Sequence, residues 1–286
     1  MNHKSKFCLY GPPLSAMRSY FEMVDYAAAH GICQLETLNI FELSTPDLEF
    51  TRKLRAYADS KGITFPCVSV GIDLVGDDSR QAIEKLKQYA PIAKVLGSPV
   101  LHHTIALNFS DPKLTADNFD TFYSRGLAAV REVYDYAATL GIRTIYEDQG
   151  FLFNGQAQFA RFLQDVNRDV GIVADFGNIQ FVDEHVEGFI SAFADRIVHV
   201  HVKDYQVTPG ASREKYSDEY ISKGRNYLRG CLIGDGSVHT EDAFRQLQAI
   251  GYHGAVSLEG DPIGPDEEAA FCKNLQTVTG LIDRYL

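Results

Sequence analysis

Residues 197–204 read IVHVHVKD. Over this stretch β-branched side chains alternate with polar ones, which is the period of a strand with one apolar face. Val198, Val200 and Val202 share one parity, and His199, His201 and Lys203 the other. Such a strand packs its valines against helices and turns two imidazoles and an ammonium the opposite way. In a chain of formal charge −11, the expected partners of that row are carboxylates.

Segments of the same kind recur on both sides. Short β-branched or aromatic runs predict strands at 7–10, 33–39, 64–70, 100–104, 143–147, 171–175, 197–202 and 255–259. Amphipathic helical stretches separate them, such as PDLEFTRKLRAYADSKG (46–62) and SRQAIEKLKQYAPIAKVLG (79–97). Gly31, Gly62, Gly97, Gly141 and Gly251 close helical runs shortly before the next strand, where a left-handed residue ends a helix. Eight β-then-α units point to a closed parallel sheet with its helices outside, a single (β/α)8 TIM barrel spanning residues 1–286. An open doubly wound sheet would need a GxGxxG turn after the first strand, and LYGPPLSAM has none. Residues 203–236 form the one long connection, polar and glycine-punctuated. It begins at a strand's carboxyl end, so it is expected over the face where barrels build their sites.

Composition narrows the function. With 45% hydrophobic and 23% charged residues the chain fits a globular domain, and no apolar run approaches the roughly 20 residues of a membrane span. The first residues lack the apolar core of a secretory signal, so a cytoplasmic location is expected. Cys8, Cys33, Cys67, Cys231 and Cys272 stand singly, which predicts reduced thiols rather than disulfides or a cysteine zinc site. The acidic charge disfavours nucleic acid as a partner.

Four predicted strands end in a metal-type ligand: Glu147 of RTIYE, Asp175 of GIVAD, His201 of IVHVH and Glu259 of AVSLE. A single acid after a strand is more often a helix cap or an ion-pair partner, and a lone histidine more often a core residue. Four together are different. Three inward carboxylates would repel one another and lose their hydration, so one divalent cation is the economical explanation. One nitrogen and several oxygens favour Mn²⁺, with Mg²⁺, Co²⁺ or Zn²⁺ also suitable. Of His102 and His103, opposite parity lets only one face the pocket, and His103, nearer the mouth, is the expected substrate contact, with a structural role as its alternative. Lys203 continues the inward parity of His201 toward a substrate oxygen. Glu36, inward with Gln34, is expected either to line the floor or to enter an ion pair there, and the Gly234 and Gly236 turn is a weak candidate for a phosphate cradle.

The motifs YEDQG (146–150), ADFGN (174–178), HVHVKD (199–204), LIGDGSV (232–238) and IGYHGAVSLEG (250–260) resemble the xylose isomerase-like TIM barrel superfamily, in its sugar isomerase and epimerase branch. The resemblance implies that Glu147, Asp175, His201 and Glu259 hold one divalent ion. It also implies that Glu147 and Glu259 are the catalytic pair, moving a proton on the carbon beside a carbonyl through an enediolate. Arg229 resembles an arginine that holds sugar hydroxyls in the epimerases. Two departures set this chain apart from the ketose 3-epimerases: Asn178 stands where they commonly carry histidine, and GFLFNG (150–155) lacks their second glutamate.

The expected function is therefore a metal-dependent isomerase or epimerase of a small sugar or sugar phosphate, with a homo-oligomer left open. An inosose-type dehydratase on the same metal site is the main alternative. An apurinic endonuclease is disfavoured by Asn178 and by NYLRGCLIG, which lacks the extra Asp and His of a multi-zinc cluster. A non-catalytic polyol-binding barrel is the remaining reading.

Overall fold

Strands and helices alternate along the chain in a computed structural model that describes residues 6–107, 119–212, 214–259 and 263–286. The order is β1 (Phe7–Tyr10), α1 (Tyr20–Ala29), β2 (Leu35–Glu36), α2 (Leu48–Ser60), β3 (Val68–Val70), α3 (Ser79–Lys87), α4 (Tyr89–Leu96), β4 (Val100–His103), α5 (Phe119–Thr139) and β5 (Arg143–Glu147). It continues with α6 (Gln156–Val166), β6 (Gly171–Asp175), α7 (Val186–Ala192), β7 (Ile197–Val202), β8 (Asp204–Pro209), β9 (Tyr220–Ile221), β10 (Asn226–Cys231), α8 (Thr240–Ala249), β11 (Val256–Glu259) and α9 (Glu267–Tyr285). Eight parallel strands pair in the order β2, β1, β11, β7, β6, β5, β4, β3. Bridges from Gln34 to Thr64 and from Thr37 to Val68 join β2 to β3 and bring the ring round on itself. This is a (β/α)8 TIM barrel. No helix among the described residues is long and apolar enough to cross a membrane.

All five glycines expected to end helices have φ between 67° and 75°. The stretch 79–97 is two helices rather than one. Pro91, in the first turn of α4, cannot donate to the carbonyl of Lys87 and its ring crowds that oxygen, so α3 stops at Lys87 and α4 starts anew.

Two layers of core hold the barrel. Outward strand residues such as Leu101, Ile172, Val200 and Val256 pack under the helices with Phe159, Phe189 and Phe244. Inside the ring, Cys67, Ile145 and Val173 form a small plug, flanked by Val100 and Val198. Val198 is thus inside, against simple alternation. The pairing of β6 with β7 shifts register between Ile172 and Val173, so that Ile172 faces Ile197 but Val173 faces His199. The extra residue is Val198, and Ile197 takes the outward place. Gly171 makes room for it, because a Cβ there would lie 2.8 Å from the side chains of both Val198 and Ile145.

The described residues between 203 and 236 are not a plain loop. They fold into an antiparallel sheet in the order β8, β10, β9, packed through Leu228 and Tyr205 on Phe181, which follows β6. Asp183 ties it down, its carboxylate accepting from Ser222 Oγ at 2.7 Å, the Gly224 amide at 2.6 Å and Asn226 Nδ2 at 2.8 Å.

Candidate active site

Glu147, Asp175, His201 and Glu259 lie at or beside the carboxyl ends of β5, β6, β7 and β11. One ligand atom from each comes within 4.8 Å of the others. His201 Nδ1 stands 3.1 Å from Glu259 Oε2, 3.3 Å from Glu147 Oε2 and 3.8 Å from Asp175 Oδ2. The turn after β6 aims Asp175: its Oδ1 accepts the amides of Gly177 at 2.8 Å and Asn178 at 2.7 Å, leaving Oδ2 for the centre. Lys203 reaches the same atoms, with Nζ 2.9 Å from Asp175 Oδ2 and 3.1 Å from Glu259 Oε1. Tyr10 stacks on the His201 ring at 4.8 Å between centroids.

These residues fit a divalent cation. Asp175 Oδ2 and Glu259 Oε2 are buried and accept no hydrogen bond of good geometry among the described residues. Lys203 and His201 approach them only as ion-pair neighbours. Convergent oxygens with free lone pairs beside an imidazole nitrogen make the donor set of a hard or borderline ion.

Burial strains the charges. It pushes Asp175 up to about 7, with Lys203 opposing and Glu259 adding to the rise. Burial would raise Glu259 as well, but Lys203 and His201 hold it far below the usual carboxylate range. Lys203 and His201 are both held well above their ordinary values: burial works against each charge, and the surrounding carboxylates outweigh it.

Beneath this cluster sits Glu36, fully buried, the hub of a polar network. Its Oε1 accepts from Ser69 Oγ and lies 3.1 Å from His201 Nε2. Its Oε2 accepts from Ser257 Oγ and lies 2.7 Å from His199 Nε2. The carboxyl is held well below its usual range because His201 and His199 outweigh the opposing effect of burial. Sequence parity put Glu36 inward, and the parity of AVSLE puts Ser257 inward with Glu259, but nothing in the sequence singled out Ser69 or showed that both hydroxyls meet Glu36.

Three expectations are corrected. His102, not His103, faces the axis: its ring meets His201 edge-on at 5.3 Å, and burial lowers its pKa although Glu147 opposes the shift. His103 points to the helix side, its Nδ1 2.9 Å from Thr104 O and its Nε2 2.9 Å from the Tyr146 hydroxyl. Burial pushes it down to about 3, so it is neutral. The structure does not bring Arg229 to the cluster. It pairs with Asp218 at 2.7 Å through Nε and is half exposed, on the opposite parity of β10 to the buried Leu228. The amides of Gly234 and Gly236 are already taken, donating to Asp204 Oδ2 at 2.9 and 3.1 Å.

Known proteins share the fold. An inosose dehydratase of Lactiplantibacillus plantarum is 24% identical over 207 residues, 66% of this chain and 65% of that protein, so the match spans a little under two thirds of the relative's length. A xylose isomerase domain protein from Planctomyces limnophilus superposes with a TM-score of 0.77 at 19% identity, over 98% of this chain and 97% of that one. A 3-keto-D-glucoside 4-epimerase from E. coli gives 0.73 at 16% identity, over 96% and 99%. The IolI protein with a bound zinc atom gives 0.74 at 18% identity, over 98% and 99%. The sequence model of the xylose isomerase-like TIM barrel family matches residues 24–275. With eight strands closed into a barrel and the match running through nearly all of them, the chain belongs to the xylose isomerase-like TIM barrel family.

Proposed function

We propose that this protein is a divalent-metal-dependent isomerase or epimerase of a small sugar or related polyol ketone. The observation that carries this reading is the convergence of the two glutamates, with Asp175 Oδ2, on His201 Nδ1. Glu147, Asp175, His201 and Glu259 would hold the ion, Mn²⁺ being preferred, and when bound it supplies Lewis acidity to a substrate carbonyl and its neighbouring hydroxyl.

The rest falls to the side chains. Glu259, kept ionised by Lys203 and His201, takes or returns the proton on the carbon beside the carbonyl. Glu147 serves the other side, its Oε1 oriented by the Gln149 amide. Return to the opposite face of the same carbon is epimerisation, and return to the neighbouring carbon is aldose–ketose isomerisation. Lys203, an ammonium at the rim of the cluster, neutralises negative charge growing on a substrate oxygen. The test is incubation of the Mn²⁺-loaded protein with a panel of ketoses in deuterated water. Carbon-bound deuterium is expected in at least one sugar, and its absence from all of them would refute the proposal.

The relative from Lactiplantibacillus plantarum motivates a second reading. In a dehydratase the same enediolate would expel a β-hydroxyl instead of being reprotonated. A product lighter by one water from an inosose decides for it.

A further inference from the structure

Hydrogen positions below the cluster follow from the chain of donors. Ser69 has one hydroxyl hydrogen, and it goes to Glu36 Oε1. The Ser69 oxygen can then only accept from His102 Nδ1, 2.9 Å away, so Nδ1 carries the imidazole hydrogen. His102 Nε2 is left with a lone pair. It is buried and has no hydrogen-bond partner among the described residues. The nearest carboxylate oxygen is Glu147 Oε1 at 3.7 Å, another acceptor. Were His102 an imidazolium, it would be expected to close on that carboxylate at about 2.7–2.9 Å, as charge-assisted pairs do. At 3.7 Å there is no such bond, and two acceptors facing one another call for a donor between them.

We propose that His102 is a further catalytic residue, whose Nε2 accepts the hydrogen of a substrate hydroxyl on the carbon adjoining the one that Glu147 serves. This rests on the isomerase or epimerase reading above and narrows its substrates to polyol ketones with a free hydroxyl at that carbon. That bond fixes rotation about the reacting carbon, so its C–H is held toward Glu147 when the proton moves, and such positioning accelerates the reaction. A methyl ether or a deoxy carbon there would leave the lone pair buried and unmet. A neutral nitrogen with no hydrogen cannot assist a departing hydroxyl, so this contact favours proton shuttling over elimination at that oxygen.

Two measurements test it. In protein labelled with ¹⁵N-histidine and loaded with Mg²⁺, long-range ¹H–¹⁵N correlations should show His102 with its hydrogen on Nδ1 and a bare Nε2. A hydrogen on Nε2, or a coordination shift of Nε2 when Mg²⁺ is added, overturns the proposal. These shifts are read in the wild-type protein, whether or not a variant folds. His102→Asn can still donate to Ser69 but offers no acceptor at the Nε2 position. Its Mn²⁺ affinity by calorimetry should match the wild type. Its deuterium exchange into D-fructose, D-tagatose or D-xylulose, whichever the wild type labels, should fall about ten- to hundredfold. Exchange that persists in the variant overturns the contact alone. No exchange by the wild type with any ketose overturns the reaction and the contact together.

Discussion

Glu36 contributes no atom to the converging ligand set, yet it sits against the ring of His201 from below, 3.1 Å from Nε2. A histidine that ligates a metal through one nitrogen is oriented by what the other one bonds. With Nε2 committed to Glu36, Nδ1 is the nitrogen turned toward Glu147, Asp175 and Glu259. Ser69, Ser257 and His199 in turn hold Glu36 in place. Glu36→Gln keeps the shape but replaces an acceptor by a donor, and Mn²⁺ affinity measured by calorimetry should fall about ten- to hundredfold. An unchanged affinity in a variant that keeps the wild-type melting temperature would show that Glu36 only packs. The role was half legible in the sequence: the parity of QLE placed Glu36 inward, but partners as far away as Ser257, 221 residues along the chain, emerge only when β1, β2, β7 and β11 lie together.

Among the elements, β6 and β7 show what alternation can and cannot say. Alternating residues revealed β7 as a strand and set His199, His201 and Lys203 on one face, as the structure has them. They misplaced Val198, because a bulge adds one residue to one strand and leaves no trace in that strand's own pattern. The compensating residue is Gly171 across the pair. Gly171→Ala should cost about 1–3 kcal/mol by overpacking, measured as a lower urea midpoint, and Val198→Ala in the same chain should recover part of it. Independent, additive losses would argue that the two sites do not share this space. A similar ambiguity misled at β4, where Val100 and Leu101 are equally apolar and gave no hint which parity faced the helices. The strand character of 226–231 was hidden by Arg225, Arg229 and Gly230, although Leu228 marks its buried face.

At the scale of the whole molecule, the ends of eight strands meet because a closed barrel leaves them nowhere else to go. That is why the convergence of four ligand-type side chains, spread from residue 147 to residue 259, was legible in the sequence, while contacts lower in the ring were not. The metal-free cluster keeps a proton on His201, held well above its ordinary value, and takes one on Asp175, pushed up to about 7, as pH falls through that value. Both must leave when those atoms take a cation, so affinity for the ion rises with pH through this window. An ion that binds only the folded chain stabilises it by about 2.7 kcal/mol at a hundred times its dissociation constant. Chelation should therefore lower the melting temperature, and at equal Mn²⁺ by more at pH 8 than at pH 6. Scanning calorimetry with and without EDTA reads this directly, and a drop that shrinks toward high pH would contradict the proton accounting.

The Asp204 carboxylate that closes on the Gly234, Gly236 and Val238 amides also has a thermodynamic meaning. It is a tethered competitor. Any free anion seeking those amides must displace a group covalently attached beside them, whose effective concentration is on the order of millimolar or more. The turn after β10 is in this sense self-saturated: it spends its anion affinity on fastening the β8–β10 sheet to the barrel, one residue beyond Lys203.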